Sequence, residues 1–118
     1  MLKHQELKEY RDKQVAQKDK VEAEMLEEGD RLTEALIEKE KLEFEKEELE
    51  AKPERDEGRL LEIDDNMKDL DMAITSVTAT LDLLQEALEF VQSKLNQVTE
   101  ELEAFDADSI SPLSFNAL

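Results

Sequence analysis

From Leu60 onward the apolar residues fall at Leu60, Ile63, Met67, Leu70, Ile74, Val77, Leu81, Leu84, Leu88, Val91, Leu95, Val98, Leu102 and Phe105. The step alternates between three and four without a miss. A seam of this kind is the signature of a helix that packs along one narrow face. At about 1.5 Å per residue the segment is roughly 70 Å long. The face widens in the middle. With Leu60 taken as position a of a heptad, Ala73, Thr80 and Ala87 occupy g positions, and Leu83 and Phe90 lie further round. That width predicts contact with more than one neighbour.

The first half repeats the pattern less cleanly. Leu7, Gln14, Val21, Glu28, Ala35, Leu42 and Leu49 recur every seven residues, with Arg11, Lys18, Met25, Leu32, Lys39 and Lys46 as companions. Good seam residues run from Val21 to Leu49. The intruding basic side chains are tolerable, because their stems can cover apolar surface while their charges reach water. Ile37, Phe44 and Ala51 form a separate line off the seam, suited to another surface.

Between the halves lies EELEAKPERDEGRLLE, residues 47–62, with Pro53 and Gly58. Proline removes a backbone donor and pushes Lys52 out of the helical region. A glycine in a helix interior costs about 1 kcal/mol. The heptad phase continues across this break through Leu49, Asp56, Ile63 and Leu70, as a kinked rod would require. Laying one arm on the other favours a hairpin instead. Opposing Leu49 to Leu60 brings Leu42 to Met67, Ala35 to Ile74, Leu32 to Val77, Met25 to Leu84 and Val21 to Leu88. Every layer joins an a to a d position, as antiparallel packing demands. Lys46 and Lys39 then fall beside Ile63 and Leu70, near Asp64, Asp69 and Asp71.

The expected fold is all-α, two long helices forming an antiparallel coiled-coil hairpin; the alternative is a kinked parallel coiled-coil dimer. The expected organisation is a first helix over residues 1–51 and a turn over 52–58 marked by Pro53 and Gly58. A second helix follows over 59–105, then a capped tail over 106–118. In that tail Ser111-Pro112 reads as an N-cap and first-turn proline opening a further segment. A chain ending soon after, at apolar Leu118, reads as part of something longer. Past Val21 the first arm offers only Lys18, Gln14, Arg11 and Leu7 against the second. The strip Leu88, Val91, Leu95, Val98, Leu102 and Phe105 is therefore expected to be poorly covered and to bind a partner or a second copy.

Composition removes other function classes. The 118 residues are 41% charged, with a formal net charge of -18. Residues 1–52 hold 11 basic and 17 acidic side chains, and residues 53–118 hold 4 and 16, so the second half is the more acidic. Nucleic acid and anionic membrane surfaces are poor partners for such a chain. A basic protein surface is the natural one. No apolar run is long enough to span a membrane, no signal-peptide core stands at the N-terminus, and cysteine is absent. These features suggest a soluble, intracellular protein.

No catalytic constellation emerges, and no cofactor, metal or small-molecule ligand is expected. His4 is the one histidine and reads as a solvated terminal side chain. Adjacent acids such as Asp64-Asp65 and Glu100-Glu101 diverge by about 100° on a helix and form no dyad. DADSISPLSFNA has Asp106 and Asp108 at the first and third positions of a calcium loop. It puts Ser111 where the turn glycine belongs and Ala117 where the bidentate glutamate belongs.

GRLLEIDDNMKDLDMAI, Gly58 to Ile74, resembles a stalk segment of kinesin-4 family motors, including the ciliary, Hedgehog-associated branch and the branch that restrains microtubule growth. The likeness lies in Arg59 to Glu62, Ile63, the acids Asp64 and Asp65, then Leu70, Asp71, Ala73 and Ile74. The tail SISPLSFNAL is similar to the start of the helical segment that follows. The chain departs from the family at Thr75-Ser76-Val77-Thr78, where an aromatic residue commonly opens the run. The resemblance implies a cytoplasmic, microtubule-associated coiled-coil segment outside the ATPase domain, in some relatives a hairpin that restrains the motor. Its partners would be its own motor domain, a second copy or another coiled coil. A parallel-dimer spacer is the alternative, and a prefoldin-like chaperone arm a weaker one, since AKPERDEGR has no strand signal.

Overall fold

The computed structural model describes residues 2–117, and side-chain surroundings for residues 3–106. Two helices make up the described chain: α1, Leu2–Ala51, and α2, Glu57–Ala117. The fold is an all-α two-helix hairpin. The chain divides into two compact units. The turn unit comprises Glu24–Leu84, and the terminal unit comprises Met1–Ala23 with Gln85–Leu118.

The break is local. The amide of Lys52 reaches the Leu49 carbonyl at 3.4 Å as α1 ends, and Pro53 follows where no helical donor is needed. Asp56 restarts the helix. Its side-chain oxygen accepts from the Arg59 amide at 3.0 Å, while its carbonyl accepts from the Leu60 amide, also at 3.0 Å. Together these make an N-cap, which satisfies a donor that the first helical turn would otherwise leave unpaired. Gly58 therefore lies inside the first turn of α2 and not in the bend. It has no positive φ, and a Cβ there would meet only Asp56 Oδ1 at 3.7 Å. The expectation that Gly58 forms the turn is corrected accordingly: Pro53 and the Asp56 cap make it.

At its far end α2 continues to Ala117, through Ser111 and Pro112. No new helix begins at Ser111, so the expected capped tail is not a separate element. A proline removes only one backbone donor, and here the helix continues across it. The side chains of residues 107–118 lie outside the described set.

In the turn unit the seam can be seen directly in which residues lose exposure. Along α1 from residue 24 to residue 50, only Met25, Glu28, Leu32, Ala35, Lys39, Leu42, Lys46 and Leu49, plus Gly29 and Glu45, are less than fully exposed. The first eight are the three-four positions. Leu60 and Ile63 on α2 are buried beside the turn, Ile63 fully. Burying such side chains stabilises by about 1.5–3 kcal/mol each.

Gly29 stands in mid-helix, and a Cβ added there would find nothing within 4 Å. It has no positive φ to protect, so Gly29→Ala is expected to raise stability by about 1 kcal/mol. A thermal melt followed by helical circular dichroism checks this, and no rise in midpoint would contradict it.

Candidate functional site

The polar chemistry of the turn unit is concentrated beside the bend. The guanidinium of Arg59 forks onto Glu45, with Nη2 at 2.8 Å from Oε1 and Nε on the other carboxylate oxygen. Its Nη1 also reaches Glu62 Oε2 at 3.2 Å. Such bidentate pairing adds geometric definition as well as attraction. Two further bridges follow the predicted alignment. Lys46 Nζ lies 2.9 Å from Asp64 Oδ1, and Lys39 Nζ lies 2.7 Å from Asp71 Oδ1. Both lysines occupy seam positions, lay their stems across the interface and put their charges at its edge.

These contacts shift titration in consistent directions. The hydrogen bonds that Arg59 donates lower the Glu45 pKa, and donating to the Glu45 and Glu62 carboxylates raises that of Arg59. Hydrogen bonds to Asp71 and Asp64 raise those of Lys39 and Lys46. All four groups remain open to water, where such pairs stabilise only modestly.

The remaining seam residues of this unit are half-buried: Met25, Leu32, Ala35, Leu42, Leu49, Met67, Leu70, Ile74, Val77, Leu81 and Leu84. On α2 the flanking positions Ala73 and Thr80 carry short side chains beside Ile74, Val77 and Leu81. Outside the seam, Leu26, Leu36, Ile37, Phe44, Leu61, Met72 and Leu83 are exposed. Ile37 and Phe44 line one open groove with Glu40, Lys41, Glu43 and Glu47.

The terminal unit departs most from expectation. Val91, Leu95, Val98 and Leu102 form a buried cluster with Leu7 packed against it, and Val21 is buried as well. Leu88 and Phe105 are half-buried. The strip expected to lie open for a partner is thus largely covered by α1. The side chains opposite it are polar but long. Arg11, Gln14 and Lys18 are all half-buried. The Lys18 ammonium lies 3.8 Å from Glu22 and the Arg11 guanidinium 3.6 Å from Asp12, both exposed acids. The stems cover hydrocarbon while the charges stay wet.

His4 is also not the solvated side chain expected. Its ring stacks on Phe105, with centroids 4.5 Å apart and planes at 19°. Its Nε2 lies 3.3 Å from Asp106 Oδ1, in an orientation that makes an electrostatic contact without a hydrogen bond. The alignment of Val21 with Leu88, carried on along both helices, puts His4 opposite Phe105. The signal was available in the numbering and needed only to be continued. On the outer side of this unit Phe90 is exposed, with the Lys94 ammonium 4.2 Å from its ring centre.

Among the described residues no group of histidine, cysteine, aspartate or glutamate is arranged to hold a metal ion. No helix is long and apolar enough there to cross a membrane. What the geometry offers is surface: a seam that both arms share, an acidic exterior and apolar side chains outside the seam.

Burial and pairing each carry a measurable consequence. Leu95→Asp places a charge in the buried cluster and is expected to destabilise by about 3 kcal/mol or more, whereas Phe90→Ser stays within about 0.5 kcal/mol. Urea titration separates the two, and equal effects would contradict the burial described. Glu45 has a lowered folded-state pKa, so its contribution is present above its ordinary value of 4.5 and is lost as pH falls through the folded-state value. Glu45→Gln should therefore lower the melting midpoint at neutral pH and converge with the unsubstituted chain in strong acid. The lysines have raised values, so their contribution holds below 10.5 and is lost above it.

No protein-family model matches the chain, and no curated protein or solved structure is significantly similar to it.

Proposed function

We propose that the chain is a non-catalytic coiled-coil segment of a kinesin-like microtubule motor, serving self-association or autoinhibition through a contact with another protein surface. The observation that carries this reading is the use of the apolar positions. Heptad-spaced residues of both arms turn toward each other, and the exterior is left to a net charge of -18. A helical hairpin with that exterior reads as a binding element, because its heptad positions hold the arms together while solvated acids and several apolar side chains stay outside the seam.

The kinesin assignment rests on the sequence likeness over Gly58–Ile74. The structure-based part of the reading is independent of it. An acidic hairpin attracts a basic surface and steers its approach, and that attraction weakens as salt screens it. A motor-domain contact would place the segment on microtubules, in the cytoplasm or a cilium.

The test is direct binding of the 118-residue chain to an isolated kinesin-4 motor domain, followed by isothermal calorimetry and by microtubule-stimulated ATPase rate. Binding that falls steeply between about 50 and 250 mM salt, with a reduced ATPase rate, is the expected result. A motor domain that neither binds at low salt nor slows would overturn the autoinhibitory reading.

A further inference from the structure

One face of the turn unit has the wrong character for a solvated helix. Residues 72–81 of α2, MAITSVTATL, carry no charge in a chain that is 41% charged. On the side of α2 turned away from its seam, Met72 and Leu83 are 72% and 67% exposed. Between them Ala73, Ser76 and Ala79 are exposed and Thr80 is half-buried. Ala73, Ser76, Thr80 and Leu83 are spaced three, four and three apart. They form a second, shorter seam beside the first. It is continuous with the half-buried edge of Ile74, Val77 and Leu81.

We propose that this face binds a second copy of the chain, with the two α2 helices antiparallel about a two-fold axis at Thr78. This deepens the self-association part of the function proposed above and needs no motor domain. The sequence supports the register. Aligning Ala73 of one copy with Leu83 of the other sets Ser76 against Thr80 and Met72 against Ala79. Large meets small in the outer layers, and every seam layer joins a g to a c position, the antiparallel rule that the hairpin itself obeys. The Thr80 hydroxyl already donates to the Ser76 carbonyl at 3.0 Å, so its own donor stays paired when the face is covered.

Charge selects the occupant. A basic partner facing an uncharged strip would lose hydration without gaining a counter-charge. A second copy brings an equally uncharged strip. The cost lies at the rim, where the same register brings Asp65 near Glu86 of the other copy, on top of the general repulsion between two acidic chains. Salt therefore strengthens this association, the reverse of its effect on a basic partner.

Sedimentation equilibrium of the full chain tests this, from about 10 µM to about 1 mM and in about 50 and 500 mM sodium chloride. A monomer–dimer equilibrium that tightens in high salt is expected. Leu83→Glu should abolish it, while Leu61→Glu, an equally exposed position elsewhere on α2, should leave it intact. Circular dichroism establishes that both variants stay helical. Oxidising a mixture of Ser76→Cys and Thr80→Cys chains should give the mixed disulfide in excess over either homodimer. A monomer at every concentration, a dimer indifferent to Leu83→Glu, a dimer loosened by salt, or a dominant Ser76→Cys homodimer would each overturn the proposal. Failure of motor-domain binding would leave it standing.

Discussion

Two helices in contact share a single line of side chains, and everything else in this molecule follows from how that line is filled. A globular core surrounds each apolar residue on all sides. A two-helix seam covers it from one side and depends on its flanks for the rest. The side chains flanking a seam residue therefore contribute to how far it is covered. In the terminal unit Val91, Leu95, Val98 and Leu102 are buried, with Leu7 packed against them and Arg11, Gln14 and Lys18 half-buried opposite. In the turn unit Ile74 and Val77 are half-buried beside short alanine and threonine flanks.

The same constraint explains what could be read from the residues beforehand. The strict three-four spacing located both helices, and pairing Leu49 with Leu60 set Lys46 by Asp64 and Lys39 by Asp71 as found. Periodicity is a property of one helix and survives in the sequence. Burial is a property of two, and there polarity proved a poor guide. Arg11, Gln14 and Lys18 looked too polar to cover an apolar strip, yet their methylene stems do so. Gly58 looked like a turn because glycine permits one, while the turn is held by Asp56, an ordinary helix cap that a run of acids concealed. The Arg59–Glu45 fork was legible in principle, since both residues occupy g positions that meet across an antiparallel pair.

The acidic exterior bears on function through both proposals. A net charge of -18 keeps like chains apart, so any self-contact must be made where the charge is absent, and the stretch Met72–Leu81 is such a place. The surface around Ile37 and Phe44 differs, with Glu40, Glu43 and Glu47 and one lysine, Lys41, beside the apolar side chains. Under the two proposals, association with a copy of the chain and association with a basic protein would respond to salt in opposite directions.

The Arg59–Glu45 fork has a kinetic side. It closes a loop of only 14 residues, and once closed it makes each succeeding layer a short extension of an existing pair. The buried cluster joins Leu7 to residues more than eighty positions away, a search that a free chain would make slowly. Starting at the bend turns that long-range encounter into a series of local ones. The hairpin can zip from Asp56 outward, so the contacts most distant in sequence form without a long loop ever closing in one step.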